Sequence, residues 1–198
     1  MIIRDIDDPV TQKEILAYLP LGVNSRDVVL DLGANVGAFA RHCVKDLEAA
    51  VVAVEADALN FQSLVANVPG ARFVWAAVTR WPGFVALYKG KYNTTHSTRA
   101  FSPLVRDEAV EVPSVTLPNL LRKYAPTIIK CDIEGAEWEL DWHDLAGVRG
   151  VAIEFHDWDG TIGGHSSISM VLESQGFKPV SDRKWTVRGG VFTEVWLR

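Results

Sequence analysis

The segment Val28-Val29-Leu30-Asp31-Leu32-Gly33-Ala34-Asn35-Val36-Gly37 passes from an apolar run through an acid into two glycines. Directly after it, Val36, Phe39, Ala40, Cys43, Val44 and Leu47 recur at helical spacing and make one apolar stripe. A buried strand, a tight turn and an amphipathic helix in that order restrict the chain to an α/β layered fold, because such a unit needs a parallel sheet to cover its strand. The same order places a turn rich in backbone amides at a helix N-terminus, where nucleotide-like ligands bind.

Spacing separates two ligand classes. A dinucleotide fingerprint needs a middle glycine to admit pyrophosphate, and here that position is Asn35. Asp31 stands just ahead of the first glycine, where it can pair with a cationic amino group. The pattern D-x-G-x-N-x-G therefore favours S-adenosylmethionine, which carries an amino-acid tail and no phosphate, over a nicotinamide dinucleotide. A second apolar segment, Val51-Val52-Ala53-Val54-Glu55, followed by Ala56, ends in an acid 18 residues beyond Gly37. That is where a carboxylate grips a cofactor ribose. Capping of the following helix, with its stripe of Phe61, Leu64, Val65 and Val68, is the alternative role for the acid.

Strands and helices then alternate. The pattern predicts a helix over 11–19 stopped by Pro20, the two strand–helix units above, and a third strand over 72–78. An insert over about 82–114 follows, with a strand at 84–88 and a polar stretch over 89–103 that has no regular period. Regularity returns with a helix over 117–124, a strand over 127–132, a helix over 136–145 and a strand over 148–155. A helix over 167–175 and strands over 177–181 and 191–197 close the chain, the last pair as an antiparallel hairpin. Seven strands in a mostly parallel sheet with helices on both faces result. With 198 residues, 48% of them hydrophobic, the chain can bury one core and is read as a single domain over 1–198.

Two later segments concentrate acids at strand ends. Ile128-Ile129-Lys130-Cys131 delivers Asp132 and Glu134 to the carboxyl edge of the sheet, and Gly135 turns the chain onward. Val151-Ala152-Ile153-Glu154-Phe155-His156 repeats the design, and by the period of two along a strand Glu154 and His156 share a face. Helix N-terminal stabilisation explains Glu137 but not Asp132. Trp138 and Trp142 are i and i+4 on the expected helix and read as core, whereas Trp158 is the better stacking surface for a sugar or ring.

The ordered set DLGANVGAFA, VEAD, Asn60-Phe61 with Leu64 and Asn67, IIKCDIEGAEWEL and AIEFH resembles the FkbM-type family of S-adenosylmethionine-dependent methyltransferases over roughly residues 26–156. The resemblance implies a Rossmann-like class I methyltransferase sheet and methylation of an oxygen. It assigns Asp31, Gly33, Ala34, Asn35, Gly37, Glu55 and Ala56 to the cofactor. It matches Asp132, Glu134 and Gly135 to the family's D-x-E-G signature, with Asp132 near both cofactor and acceptor. The chain is short for that family.

Methyl transfer from a sulfonium needs the acceptor in line behind the methyl carbon, and such positioning supplies ~7 to 11 kcal/mol of a barrier. A hydroxyl acceptor also gains from a base. His156 is the first candidate because an unperturbed imidazole titrates near neutrality, followed by Asp132 and His96; Glu134 and Glu154 are further expected catalytic-site residues, without an assigned role as base. An orienting hydrogen bond to Glu154 is the competing role for His156. Asp132, Glu134, Glu154 and His156 could together ligate a metal, but a hydrogen-bonding pocket needs the same groups, and no metal is expected.

The formal net charge of -5, from 25 acids and 20 bases, argues against a nucleic-acid footprint. Only Lys89, Lys91, Arg99 and Arg106 cluster. The expected substrate is a hydroxyl on a small molecule or glycan. A nucleic-acid methyltransferase, a nicotinamide dehydrogenase and a catalytically silent cofactor-binding module are the alternatives. Two cysteines, no signal-like N-terminus and no apolar run of membrane-spanning length point to a cytoplasmic protein off the membrane. The oligomeric state is open, a homodimer included.

Overall fold

The computed structural model describes residues 6, 15–90, 95–99, 105–156, 163–180, 184–186 and 190–198. Its centre is a parallel group of strands: β1 (Val28–Leu32), β2 (Ala50–Glu55), β3 (Arg72–Trp75), β7 (Ile128–Cys131) and β8 (Gly150–His156). β11 (Val191–Leu197) runs antiparallel to β8 and carries β9 (Lys178–Pro179) and β10 (Lys184–Thr186) on its other side. The order is β10-β11-β8-β7-β1-β2-β3, with β9 also paired to β11. β9 meets Trp196–Leu197 and β10 meets Val191–Thr193, so two short strands share the outer edge. The sheet thus has seven places and the expected C-terminal antiparallel hairpin.

Helices cover both faces because each central strand is apolar on both sides. On one face Val29, Val51 and Ala53 meet Phe39, Ala40 and Cys43 of α1 (Ala38–Lys45) and Leu64 of α2 (Ala58–Asn67). On the other, Leu30, Leu32, Val52 and Val54 share a core with Leu117 and Leu120 of α3 (Leu117–Tyr124) and Leu172 of α4 (Gly163–Ser174). Asp57 starts α2 by accepting from the amides of Leu59 and Asn60, and Thr116 starts α3 by accepting from Asn119. Cys43 and Cys131 are buried and free, and burial pushes both thiols up. No described helix is long and apolar enough to cross a membrane.

Four elements differ from expectation. Of the helix over 11–19, the described part is two 3-10 turns, Ile15–Ala17 and Leu19–Leu21; Pro20 lies inside the second, at a position that needs no amide donor. The strand over 72–78 breaks at Ala76, and β4 (Ala77–Val78) joins a separate sheet of order β4-β6-β5. That sheet is the insert: β5 (Gly83–Gly90) pairs antiparallel with β6 (Val105–Val115), a strand the sequence pattern did not reveal. Among the described side chains of β6 only Val112 is in the buried hydrophobic core, so burial on one face is carried by a single residue. Finally, the helix over 136–145 is a single 3-10 turn, Glu137–Glu139. The indole N–H groups of Trp138 and Trp142 are spent on the carbonyls of His156 and Glu137, which ties this segment to β8 rather than to a helix of its own.

Candidate active site

The carboxyl edges of β1, β2, β7 and β8 open into one cleft. It is lined by Gly33, Ala34, Asn35 and Val36 after β1, Glu55 and Ala56 after β2, Asp132, Ile133 and Glu134 after β7, and Glu154 on β8. Tyr18, Leu87, His96, Thr98 and Lys130 contribute further walls. The cleft therefore has a cradle end, made by the turns after β1 and β2, and an acidic end, made by those after β7 and β8.

At the cradle end, the amides of Gly33 and Ala34 both donate to the Val54 carbonyl, which folds the turn back onto β2. Glu55 accepts from the amides of Asn35 at 2.9 Å and Asp57 at 2.8 Å. Burial raises its carboxyl to about 7 against those two hydrogen bonds. Asn35 adopts φ 51, and its side-chain oxygen is buried with no hydrogen-bond partner. An orphaned acceptor and a half-satisfied carboxylate are what a ligand bearing hydroxyl and amino donors would complete.

Gly33 and Gly37 serve the chain itself. A Cβ on Gly33, at φ +74, would lie 1.8 Å from the Asp132 carbonyl oxygen, so this glycine lets the turn after β1 abut the end of β7. A Cβ on Gly37, at φ +96, would strike Val68 and Leu64 of the α2 region, and Gly37 does not line the cleft. Neither does Asp31, which is fully buried. Its cationic partner is Lys130, whose Nζ lies 3.3 Å from Asp31 Oδ1 and 3.5 Å from Asp132 Oδ2 and donates to the Gly33 carbonyl at 2.9 Å. The reason is register: Lys130 stands opposite Asp31 in the parallel β1–β7 pair. Burial raises Asp31 and works against the charge on Lys130, which Asp31, Asp132 and Glu154 nevertheless hold protonated. A lysine inside the apolar run Ile128–Cys131 was the available signal for this pair.

At the acidic end, His156 is 4% exposed. Its Nδ1 lies 2.7 Å from Glu137 Oε1, and its Nε2 lies 3.4 Å from Glu134 Oε2 and 4.0 Å from Asp132 Oδ1. Burial opposes the charged ring, but these carboxylates, Glu137 foremost, raise it to about 10. The partner that orients His156 is thus Glu137, not Glu154. Glu137 is fully buried and also accepts from the amides of Gly135 and His156, both at 2.8 Å. It stitches the turn after β7 to the end of β8, in place of the expected role at a helix start.

Glu154 pairs elsewhere. The Tyr18 hydroxyl lies 3.0 Å from Glu154 Oε2 and 3.2 Å from Asp132 Oδ2. Burial first, then the charge of Asp132, raises the Glu154 carboxyl to about 7, and burial likewise raises Glu134. Glu134 itself has φ 56, a conformation that side chains rarely take. The insert holds it there: Ser97 Oγ donates to the Glu134 carbonyl at 2.6 Å and Arg99 to the Gly135 carbonyl at 3.2 Å. Tyr18, Ser97, Arg99 and Glu137 were not foreseen as site residues, because each acts through a partner more than 15 positions away or through a buried hydrogen bond.

His96 stands apart from these carboxylates. Its Nδ1 accepts from the Gly90 amide at 2.8 Å, which leaves the proton on Nε2, 3.7 Å from Asp57 Oδ2. Lys89 pairs with the same carboxylate at 2.5 Å. Two members of the expected basic cluster are therefore consumed by internal contacts, Lys89 on Asp57 and Arg99 on Gly135. Lys91, Trp158 and the side chain of Arg106 fall outside the described residues.

A central strand order of β3-β2-β1-β7-β8 with an antiparallel β11 and a ligand cleft at the switch between β1 and β7 defines a Rossmann-like fold of the methyltransferase class. The methyltransferase FkbM domain profile matches residues 31–179, and the chain belongs to that family, whose cofactor is S-adenosylmethionine. No curated protein matches it in sequence. Among solved structures it is similar to the precorrin-6y C5,15-methyltransferase of Geobacter metallireducens at 12% identity and a TM-score of 0.50, covering 97% of this chain and 90% of that one. It is also similar to a Streptococcus pneumoniae protein assigned as a tRNA (m1A22) methyltransferase and solved with S-adenosyl-L-methionine. There the identity is 12% and the TM-score 0.54, over 93% of this chain and 72% of that one. A third is Trm5b of Pyrococcus abyssi, at 12% identity and a TM-score of 0.53 over 93% of this chain and 48% of that one. These likenesses concern the fold.

Proposed function

We propose that the protein transfers a methyl group from S-adenosylmethionine to a hydroxyl oxygen of a small molecule or sugar. The observation that carries this reading is that one cleft joins a cofactor cradle at Gly33–Val36 and Glu55 to an acidic end at Asp132, Glu134 and Glu154. The cradle fits the cofactor: Glu55 would accept from ribose hydroxyls, and the orphaned Asn35 oxygen would accept from a donor on the same ligand. Bound there, S-adenosylmethionine supplies an electrophilic methyl on a sulfonium.

The chain supplies position and a proton acceptor. Glu154 is the base this reading favours, because a carboxyl raised to about 7 matches the task near neutral pH and His156 is already charged. Glu154 would take the hydroxyl proton of an acceptor as its oxygen receives the methyl group, the sulfonium leaving as a thioether. Tyr18 holds that carboxylate in place through its hydroxyl. The acidic end also disfavours a phosphate backbone as substrate: Lys130 is buried behind Asp132, and the lining there is anionic.

The test is transfer of a labelled methyl group to a panel of hydroxylated small molecules and sugars, with an unmodified RNA transcript in parallel. Incorporation into the panel that falls at least 100-fold in Glu154→Gln is expected. Incorporation into RNA alone would replace the acceptor class. S-adenosylhomocysteine binding with no incorporation anywhere would favour a silent cofactor-binding module.

A further inference from the structure

The acidic end of the cleft holds more negative charge than proton transfer requires. Asp132, Glu134 and Glu154 line it, with Asp31 and Glu137 buried behind them, against Lys130 and His156. The arrangement is also directional. Asp132 divides its oxygens, Oδ2 facing Lys130 and Tyr18 and Oδ1 facing His156. Glu134 turns Oε2 to the same imidazole nitrogen. One ligand atom from each of Asp132, Glu134 and His156 lies within 4.8 Å of the others.

We propose that Asp132, Glu134 and His156 form a binding site for a divalent cation of the manganese type, which takes the place of the Nε2 proton of His156 and is placed to receive the acceptor's hydroxyl oxygen as a further ligand. Donor atoms bound at ~2.0 to 2.2 Å from one ion lie ~3.0 to 3.5 Å apart. The His156–Glu134 separation of 3.4 Å already meets that, and the His156–Asp132 separation of 4.0 Å needs only a small closure. Two carboxylate oxygens and one imidazole nitrogen suit manganese or zinc better than calcium.

The surroundings add a feature that a plain acidic patch lacks. A metal-bound histidine has its other nitrogen fixed by a carboxylate or carbonyl, which sets ring orientation. His156 has this arrangement: buried Glu137 holds Nδ1 at 2.7 Å and the His156 amide at 2.8 Å, so Nε2 is aimed at Glu134 and Asp132. Glu134 is presented from a backbone at φ 56 that Ser97 secures through the Glu134 carbonyl. Strain maintained by dedicated partners is a mark of functional positions. Glu154 stays outside the triad, on Tyr18, and remains available as base.

The binding claim stands on these ligands alone; only the role given to the ion rests on the methyl-transfer reading. The experiment uses full-length protein stripped with a chelator and titrated with Mn2+, followed by the electron paramagnetic resonance of free and bound ion. One saturable site per chain is expected, with nitrogen coupling in the spin-echo spectrum. Asp132→Asn and Glu134→Gln should each weaken Mn2+ at least tenfold. His156→Gln should remove the nitrogen coupling, while the exposed Asp141→Asn should change nothing. Folding of each variant is checked by its thermal transition, and the two carboxylate variants decide the matter if His156→Gln does not fold. Absence of a saturable site, or affinity unchanged in both carboxylate variants, overturns the proposal. S-adenosylhomocysteine is titrated into the same stripped protein. Its binding without any manganese site overturns the metal alone, and a manganese site without its binding overturns the cofactor reading alone.

Discussion

The turn after β1 and the turn after β7 line the same cleft, yet they are held by different parts of the chain. The first is secured by backbone: Gly33 and Ala34 donate to Val54, Asn35 donates to Glu55, and the missing Cβ of Gly33 admits the Asp132 carbonyl. The second is secured by side chains from four places in the sequence. Glu137 accepts from Gly135 and His156, Ser97 and Arg99 donate to the carbonyls of Glu134 and Gly135, and Tyr18 reaches Asp132 and Glu154. A backbone-built turn tolerates side-chain change and can be read from a short motif. A side-chain-built turn is only as stable as its remote partners.

The largest expected effect tests that dependence. Glu137→Leu removes the acceptor of two buried amides and the counter-charge of a buried imidazolium. Breaking one partner out of such a pair costs about 3 to 5 kcal/mol, because the remaining charge is left uncompensated. Urea unfolding should show this loss in the midpoint. The same measurement on Glu55→Gln, at the cradle, should show a smaller loss of about 1 to 3 kcal/mol, since the single amide oxygen can accept from only one of Asn35 and Asp57 and the other amide is left without its acceptor. Equal destabilisation by the two substitutions would erase the distinction between the turns.

That distinction also explains how much could be read from sequence. The parallel core, its strand order and the cradle residues Gly33, Ala34, Asn35, Glu55 and Ala56 follow from local patterns: apolar runs of strand length, an acid at the strand end, glycines at fixed offsets. Asp132, Glu134 and Glu154 were legible for the same reason, as acids at the ends of apolar strands. Tyr18 and Ser97 were not, because the contacts that matter join residues 136 and 37 positions apart. Glu137 was read as a helix-start acid because the Trp138/Trp142 spacing imitates a helix. The Trp138 indole instead donates to the His156 carbonyl and Trp142 to Glu137, and the segment straightens after one 3-10 turn. The Asp31–Lys130 pair was not legible, because the motif shows the acid but not the lysine opposite it in the sheet.

A second effect sharpens the cradle side. Glu55→Gln should weaken S-adenosylhomocysteine by roughly 10- to 150-fold, the equivalent of about 1.5 to 3 kcal/mol for a hydrogen bond to a charged group. The pH dependence carries the sign. Burial raises the Glu55 carboxyl to about 7, so the ionised acceptor is present above that pH and is lost as pH falls below it. Affinity should therefore be flat above about pH 7 and decline below it, by up to about tenfold per unit. Calorimetry across roughly pH 5.5 to 8.5 should show the decline in the parent and none in Glu55→Gln. A decline that persists in the variant would assign the titration to another group.

The smallest effect probes the acidic side without dismantling it. Tyr18→Phe keeps the ring, which packs edge-on against Phe39 with centroids 5.3 Å apart, and deletes only the hydroxyl. The lost hydrogen bond is worth about 1 kcal/mol, or roughly fivefold in rate if Glu154 is the base. The direction of the pH shift is more telling than the magnitude. The Tyr18 hydroxyl favours the ionised form of Glu154, so its removal raises that carboxyl further above its ordinary range. Glu154 then loses its proton only at higher pH, and the acidic limb of the rate profile must move upward. Cofactor affinity should not change, because the deleted hydroxyl bonds Glu154 and Asp132 at the acidic end. An unmoved limb with a reduced rate would take the base role from Glu154 and leave Tyr18 as a support for Asp132.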